Sequence, residues 1–189
     1  MGTQPRGPGQ RAGLDRNAVL AAARRVLVDR GAHGLSMRAL ARELGVAPNA
    51  LYSHVSDKND LWDLVIDDVL GHVPVPDETQ IAADPVGAIR EVMADSFEVL
   101  VTHPDLMPQI LARQGARGVQ AQKLGVVTLN ALAAAGVAGD EARDALRVLI
   151  VNTVGFAAFA VEDGVIPVDE IRGNHARSLD WLLTGILGR

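Results

Sequence analysis

Tyr52, His54 and Lys58 fall within one seven-residue stretch, and each can hold a phosphate. Contacts of that kind fix where a protein lies along a nucleic acid without reading its bases. Lys58 stands in the first turn of an expected helix, where a cation opposes the helix dipole at a cost of about 0.3–1 kcal/mol. A phosphate placed there would meet both the ammonium and the free helix N–H groups; a solvated lysine tolerated at that cost is the plain alternative. Arg38, one turn into the preceding helix, could bond a guanine or a phosphate, or simply be an exposed helix arginine. Asn49 could pair with an adenine edge, and Ala50 could meet a thymine methyl. Ala47, Pro48 and Ser53 share their exposed side, and Ser36, the cap of the helix carrying Arg38, completes the candidate set.

These residues need a scaffold, and the spacing of three others supplies one. Ala41 suits a close helix crossing, Gly45 a tight turn, and Leu51 a plug between two helices. Small, Gly and apolar at that spacing describe a helix-turn-helix whose second helix enters a DNA major groove. A first helix is expected over about 16–30, with Asp15 as N-cap, Leu14 and Val19 as a hydrophobic staple and Gly31 as its end. The second follows Ser36 and stops at Gly45. The third covers about 48–54, with Pro48 in its first turn. The fourth runs from near Asp57 toward Gly71, carrying Leu61, Trp62, Leu64, Val65, Ile66 and Val69.

The run Leu35-Ser-Met-Arg-Ala-Leu-Ala-Arg-Glu-Leu-Gly-Val, then Leu51-Tyr52-Ser53-His54-Val55, Lys58 and Leu61-Trp62, resembles the N-terminal domain of TetR-family transcriptional regulators. The resemblance covers residues 14–71. It implies that Arg38 contacts a base, that Tyr52, His54 and Lys58 clamp phosphates, and that a homodimer binds a palindromic double-stranded DNA operator. Ser178-Leu-Asp-Trp-Leu-Leu-Thr-Gly-Ile is similar to the last helix of members close to the tetracycline repressor. Ala47, Pro48 and Asn49 depart from the family pattern, so no operator sequence carries over.

Composition agrees with an all-α chain. Of 189 residues 48% are apolar but only 3% aromatic, so the core must be built from Ala, Leu and Val. The absence of cysteine excludes disulfides, thiolate metal sites and cysteine catalysis, and suits a cytoplasmic protein. Net charge is −5, yet residues 1–60 hold nine basic against five acidic residues, leaving the excess of acid in the remainder. A basic head on an acidic body fits a DNA reader whose body stays off the DNA. The five histidines show no His-x-x-x-His spacing, there is no Gly-x-Ser-x-Gly elbow, and Gly7-x-Gly9 does not follow a strand. No enzyme, metal or cofactor is expected. His103, before Pro104, reads as a helix-break residue rather than a ligand.

The expected organisation is a flexible arm over 1–13, a helix-turn-helix domain over 14–71, a linker over 72–84 and a ligand-binding and dimerisation domain over 85–189. Arg6 and Arg11 in the arm either are solvated or reach the minor groove or phosphates. Val73-Pro-Val-Pro-Asp reads as a stiff extended link. Body helices are expected over about 85–102, 106–114, 117–135, 141–163 and 168–187, with Asp140 and Asp169 as caps, for about nine helices in all. The apolar run Val148 to Val161 contains Asn152 and is shorter than the roughly 20 residues of a bilayer span, so it reads as a buried core helix rather than a membrane segment.

The last two helices carry apolar stripes: Ala142, Ala145, Leu149, Thr153 and Phe156 on one, Ile171, His175, Leu179, Leu182 and Ile186 on the other. They could line an intramolecular core; the need for two DNA heads favours a four-helix dimer interface using Ala142, Ala145, Leu149, Leu179, Leu182 and Ile186. Met93, Phe97, Met107, Leu111, Asn130, Asn152 and Phe156 are the candidate lining of a pocket for a small-molecule effector; the alternative is that Met93, Phe97, Met107 and Phe156 are core and that Asn130 and Asn152 bond the backbone of a neighbouring helix. The functional expectation is a ligand-released repressor. The alternatives are a small-molecule-binding protein with a vestigial DNA head, and a DNA-binding protein without ligand control.

Overall fold

The computed structural model describes residues 14–113, 115–162 and 164–188. The expected arm over 1–13, with Arg6 and Arg11, lies outside them. The described residues form ten α-helices and a short 3-10 turn, with no strand. The helices are α1 (Arg16–Gly34), α2 (Met37–Leu44), α3 (Pro48–Leu51), α4 (Lys58–Leu70), α5 (Glu78–Ala83), α6 (Pro85–Val101), α7 (Met107–Ala112), α8 (Val119–Ala134), α9 (Gly139–Val161) and α10 (Val168–Ile186). The chain divides into two compact units, one ending at Val65 and the other beginning at Ile66.

In the first unit the caps act as expected. The Asp15 carboxylate accepts from Ala18 N–H at 2.7 Å, and Ser36 Oγ accepts from Ala39 N–H at 3.2 Å. Gly31 has φ 64°, which breaks regular helix geometry, but helical turns resume and α1 ends at Gly34 rather than at Arg30. The third helix is shorter than expected. Its regular part ends at Leu51, and Tyr52 to His54 continue as turns.

The second unit contains a helix absent from the sequence reading. Residues 78–83, assigned to a linker, form α5, closed by a reciprocal capping box between Asp77 and Gln80. Its Ile81 is buried, which ties α5 into the body core together with Val73. The extended Val73-Pro-Val-Pro segment lies ahead of it. α6 packs against α8, α9 and α10, and α9 packs against α8 and α10. Asp140 and Asp169 lie inside the first turns of α9 and α10 instead of capping them; there they complement the helix dipoles.

α9 is not the buried core helix expected. It has 23 residues and passes for a membrane-spanning length and composition, yet 22% of its most apolar window is buried. One face, Ala142, Ala145, Leu149, Thr153 and Ala157, is packed inside, while Val148, Val151 and Phe159 are exposed.

The body core is mainly aliphatic, and its aromatic groups gather around one buried histidine. His175 is buried, stacked on Phe97 at 4.7 Å between centroids and tilted against Phe156 at 5.7 Å. Its Nε2 lies 3.2 Å from Thr153 Oγ1, and that hydroxyl also faces Met93 Sδ at 3.6 Å. Burial lowers the His175 pKa to about 4, against a weaker upward pull from the Glu98 carboxylate. As pH falls from 6.5 toward 4, the unfolded chain binds a proton that the folded ring refuses, so stability is lost across that window. Thermal unfolding of His175→Gln should therefore depend less steeply on pH there than the parent; equal slopes would contradict a neutral buried ring.

Candidate nucleic-acid interface and body cavity

The helix-turn-helix geometry follows from three residues. Gly45 caps α2 in the left-handed region (φ 66°, ψ 31°), and its N–H donates to Arg42 O at 3.2 Å. Val46 N–H reaches back to Ala41 O at 3.0 Å, closing the turn. Ala39, Leu40 and Ala41 are buried on α2, and Leu51 and Val55 are fully buried after it. The small, Gly and apolar positions thus hold the places their spacing called for. Arg25 bridges α1 to α2 through Glu43 at 2.6 Å.

Against this frame the candidate DNA residues fall on the outside. Arg38, Ala47, Pro48, Asn49, Ala50, Ser53 and Lys58 are exposed, Tyr52 is 53% exposed, and Ser36 and His54 are half-exposed. Among the described residues, the side chains of Arg38, Asn49, Tyr52 and Lys58 have no hydrogen bond or ion pair. Ser36 Oγ is engaged as the α2 cap, and Ser53 Oγ donates to Ala50 O at 2.9 Å.

Lys58 begins α4, and a neighbouring network orders that end. Asp57 accepts from the Asn59 and Asp60 N–H groups at 2.7 and 2.9 Å. Asp60 accepts from Ser56 N–H at 2.8 Å and from Arg16 at 2.8 Å, while Arg16 also donates to His54 O at 3.2 Å. Burial pushes the Asp60 pKa up, but the Ser56 and Arg16 bonds outweigh it and leave it lowered. Sequence reading missed Arg16 and Asp60 as the pair that fixes the His54 carbonyl; no local pattern signals a bond across 38 residues.

The second unit holds a cavity of about 380 Å³. Its walls come from the last turns of α4 (Ile66, Leu70), from α6 (Val92, Met93, Ser96, Leu100), α8 (Ala121, Leu124, Gly125, Thr128) and α9 (Leu146, Arg147, Ile150, Thr153). Of the expected pocket residues only Met93 lines it. Phe97 and Met107 are buried in packing, Phe97 against His175. Leu111 and Asn130 face solvent, Phe156 leans on His175, and Asn152 Oδ1 accepts from Ser178 Oγ at 3.1 Å. The missed signal was small and hydroxyl residues at helical spacing, Ala121, Gly125 and Thr128, which leave room where large apolar groups fill it.

The expected dimer stripe is also corrected. Ala142, Ala145, Leu149 and Leu179 are buried in the core of a single chain, with Leu182 and Ile186 packed against it. The four buried side chains are already covered by their own chain, while Leu182 and Ile186 stay partly exposed. Exposed apolar residues of these helices that do not line the cavity include Val148 and Phe159 on α9 and Trp181 on α10.

α4 and α8 meet through one carboxylate. Asp67 accepts from the Gln120 and Ala121 N–H groups at 2.8 and 3.1 Å, capping α8 from 53 residues earlier. A Cβ on Gly118 would fall 2.0 Å from Asp67 Cγ, so glycine is what admits it.

Left-handed backbone costs a non-glycine residue about 1–2 kcal/mol. Nothing lies within 4 Å of a Cβ built on Gly45. Gly45→Ala should therefore destabilise the first unit by about 1 kcal/mol through backbone conformation alone, read by chemical denaturation; no change would mean the turn relaxes.

Comparison with known proteins agrees with the geometry. Residues 19–65 match the model for bacterial regulatory proteins of the tetR family. An HTH-type transcriptional regulator of Saccharopolyspora erythraea is 38% identical over 92 residues, 48% of this chain; the match spans 38% of that relative's length. Among solved structures, Mycobacterium smegmatis BioQ is 27% identical, with a TM-score of 0.75 over 93% of this chain and 99% of its own. A structure of BioQ with its double-stranded DNA operator gives 26% identity and a TM-score of 0.72 over 94% of this chain and 100% of that one. Residues 19–65 thus resemble bacterial regulatory proteins of the tetR family, and the chain shares the BioQ fold along nearly its whole length.

Proposed function

We propose that the protein is a DNA-binding transcriptional repressor that acts as a homodimer and is released from its operator by a small molecule. The observation that carries the DNA reading is the set Arg38, Asn49, Tyr52 and Lys58, exposed and unpartnered around a well-formed helix-turn-helix. Tyr52, His54 and Lys58 hold phosphates and set the register, while Arg38 and Asn49 meet base edges and Ala50 a thymine methyl. BioQ has been solved on a double-stranded DNA operator, which supports the same class of partner here.

One head reads only a few base pairs, so a second copy must place another head roughly 34–36 Å away. The exposed apolar residues Val148, Phe159 and Trp181 supply its contact surface. Release follows from α4, one uninterrupted helix from Lys58 to Leu70. Its last turns line the cavity, and Asp67 ties it to α8, which lines the opposite side. A ligand that displaces α8 moves the partner of Asp67, and α4 carries that movement to the spacing of the heads. A differential affinity of about 1–3 kcal/mol between the two spacings is the usual size of such coupling.

Selection of bound sequences from a random DNA pool should return a palindrome. Lys58→Ala should then weaken binding to all sequences and flatten the salt dependence by about one unit of slope, whereas Asn49→Ala should relax selectivity at one position of each half-site. An unselective pool, or a Lys58→Ala variant with parental affinity and salt slope, would count against the interface. Light scattering should show a dimer in the parent and a monomer in Trp181→Glu; a Trp181→Glu dimer would place the contact elsewhere.

A further inference from the structure

The cavity carries chemical information beyond its size. At about 380 Å³ it falls within the roughly 300–1,000 Å³ of small-ligand sites. Of the described residues lining it, Arg147 alone is charged, and that side chain is 72% exposed and paired with Asp144 at 2.6 Å. The polar groups otherwise available are three hydroxyls. A hydroxyl has one hydrogen to donate and two lone pairs to accept with. Ser96 spends its hydrogen on Val92 O at 2.6 Å, and Thr128 spends its own on Leu124 O at 2.9 Å. Thr153 shares its hydroxyl between Met93 Sδ and His175 Nε2. Thr128 and Thr153 are buried behind the wall, so what the half-buried Ser96 oxygen still offers a guest is acceptor capacity.

Charge complementarity points the same way. An anion entering this wall gives up its hydration with no buried cation to replace it, a large cost. The ring behind Thr153 supplies no positive charge, since burial keeps His175 neutral near pH 7. An N–H or O–H group loses water but regains a bond to the Ser96 oxygen.

We propose that the cavity takes an uncharged, largely apolar molecule carrying a hydrogen-bond donor, met by the Ser96 hydroxyl oxygen. The assignment rests on the reading of the cavity as an effector site.

Two fluorophores with the same ring frame test it on the full chain. N-phenylnaphthylamine is uncharged and has one N–H; anilinonaphthalene sulfonate adds a fixed negative charge. The neutral compound should bind saturably, about tenfold or more tighter than the sulfonate. Ser96→Ala should weaken the neutral compound by about three- to tenfold. Absence of saturable binding by the neutral compound would overturn the proposal. So would sulfonate binding of equal strength that is lost in Arg147→Gln, or neutral binding that ignores Ser96→Ala. DNA retention measured alongside separates the two readings: bound neutral fluorophore that leaves retention unchanged counts against ligand release while supporting the ligand chemistry.

Discussion

The Asp67 carboxylate is the fixed point of the second unit. The first turn of a helix leaves N–H groups without intrahelical partners, and Gly118, at the head of α8, has no side chain to serve them. Asp67 serves two of them from α4, and the glycine is what gives the carboxylate access. Caps of this kind are worth about 1 kcal/mol, but geometry matters more here than energy. The start of α8 is defined by a residue of α4, and α8 in turn packs on α6 and α9 and lines the cavity. Other packing in the body can vary around that tie more easily than the tie itself can.

A second constraint is the small polar island inside an aliphatic body. Thr153, His175 and Met93 satisfy one another, and Phe97 and Phe156 enclose the ring. Buried polar groups in a low-dielectric interior are costly when unpaired and position-specific when paired. This cluster joins α6, α9 and α10 at one register, which purely aliphatic contacts specify less sharply. Asn152 sits one residue before Thr153 and binds Ser178 through its oxygen, while its Nδ2 is buried without a partner.

The head was legible in the sequence because its determinants are local. Ser36, Ala41, Gly45 and Leu51 each act through neighbours within about one turn or one tight bend, and such rules survive without knowledge of the rest of the chain. The body was legible as helices but not as surfaces. Ala142, Ala145 and Leu149 show the same periodicity whether they meet α10 of their own chain or a second copy, and only packing decides. The cavity was misplaced for a related reason. Large apolar residues such as Phe97 and Met107 attract attention in a sequence, yet they fill space, while the void is left by residues with little side chain. α5 was missed because Pro-Val-Pro suggests an extended link, and the Asp77–Gln80 capping box begins directly after it.

With three phenylalanines in the whole chain and a body made mainly of alanine, valine and leucine, the fold has few bulky groups with which to close its interior. Ala116, Ala121 and Gly125 stand along the void, and the nearest atom to a Cβ on Gly125 lies 3.8 Å away. Each is a point where a single added methyl or isopropyl group reshapes the chamber while the helical frame and its ties remain. The shape of this chamber can therefore change by single substitutions in the second unit that leave Arg38, Asn49, Tyr52 and Lys58 untouched.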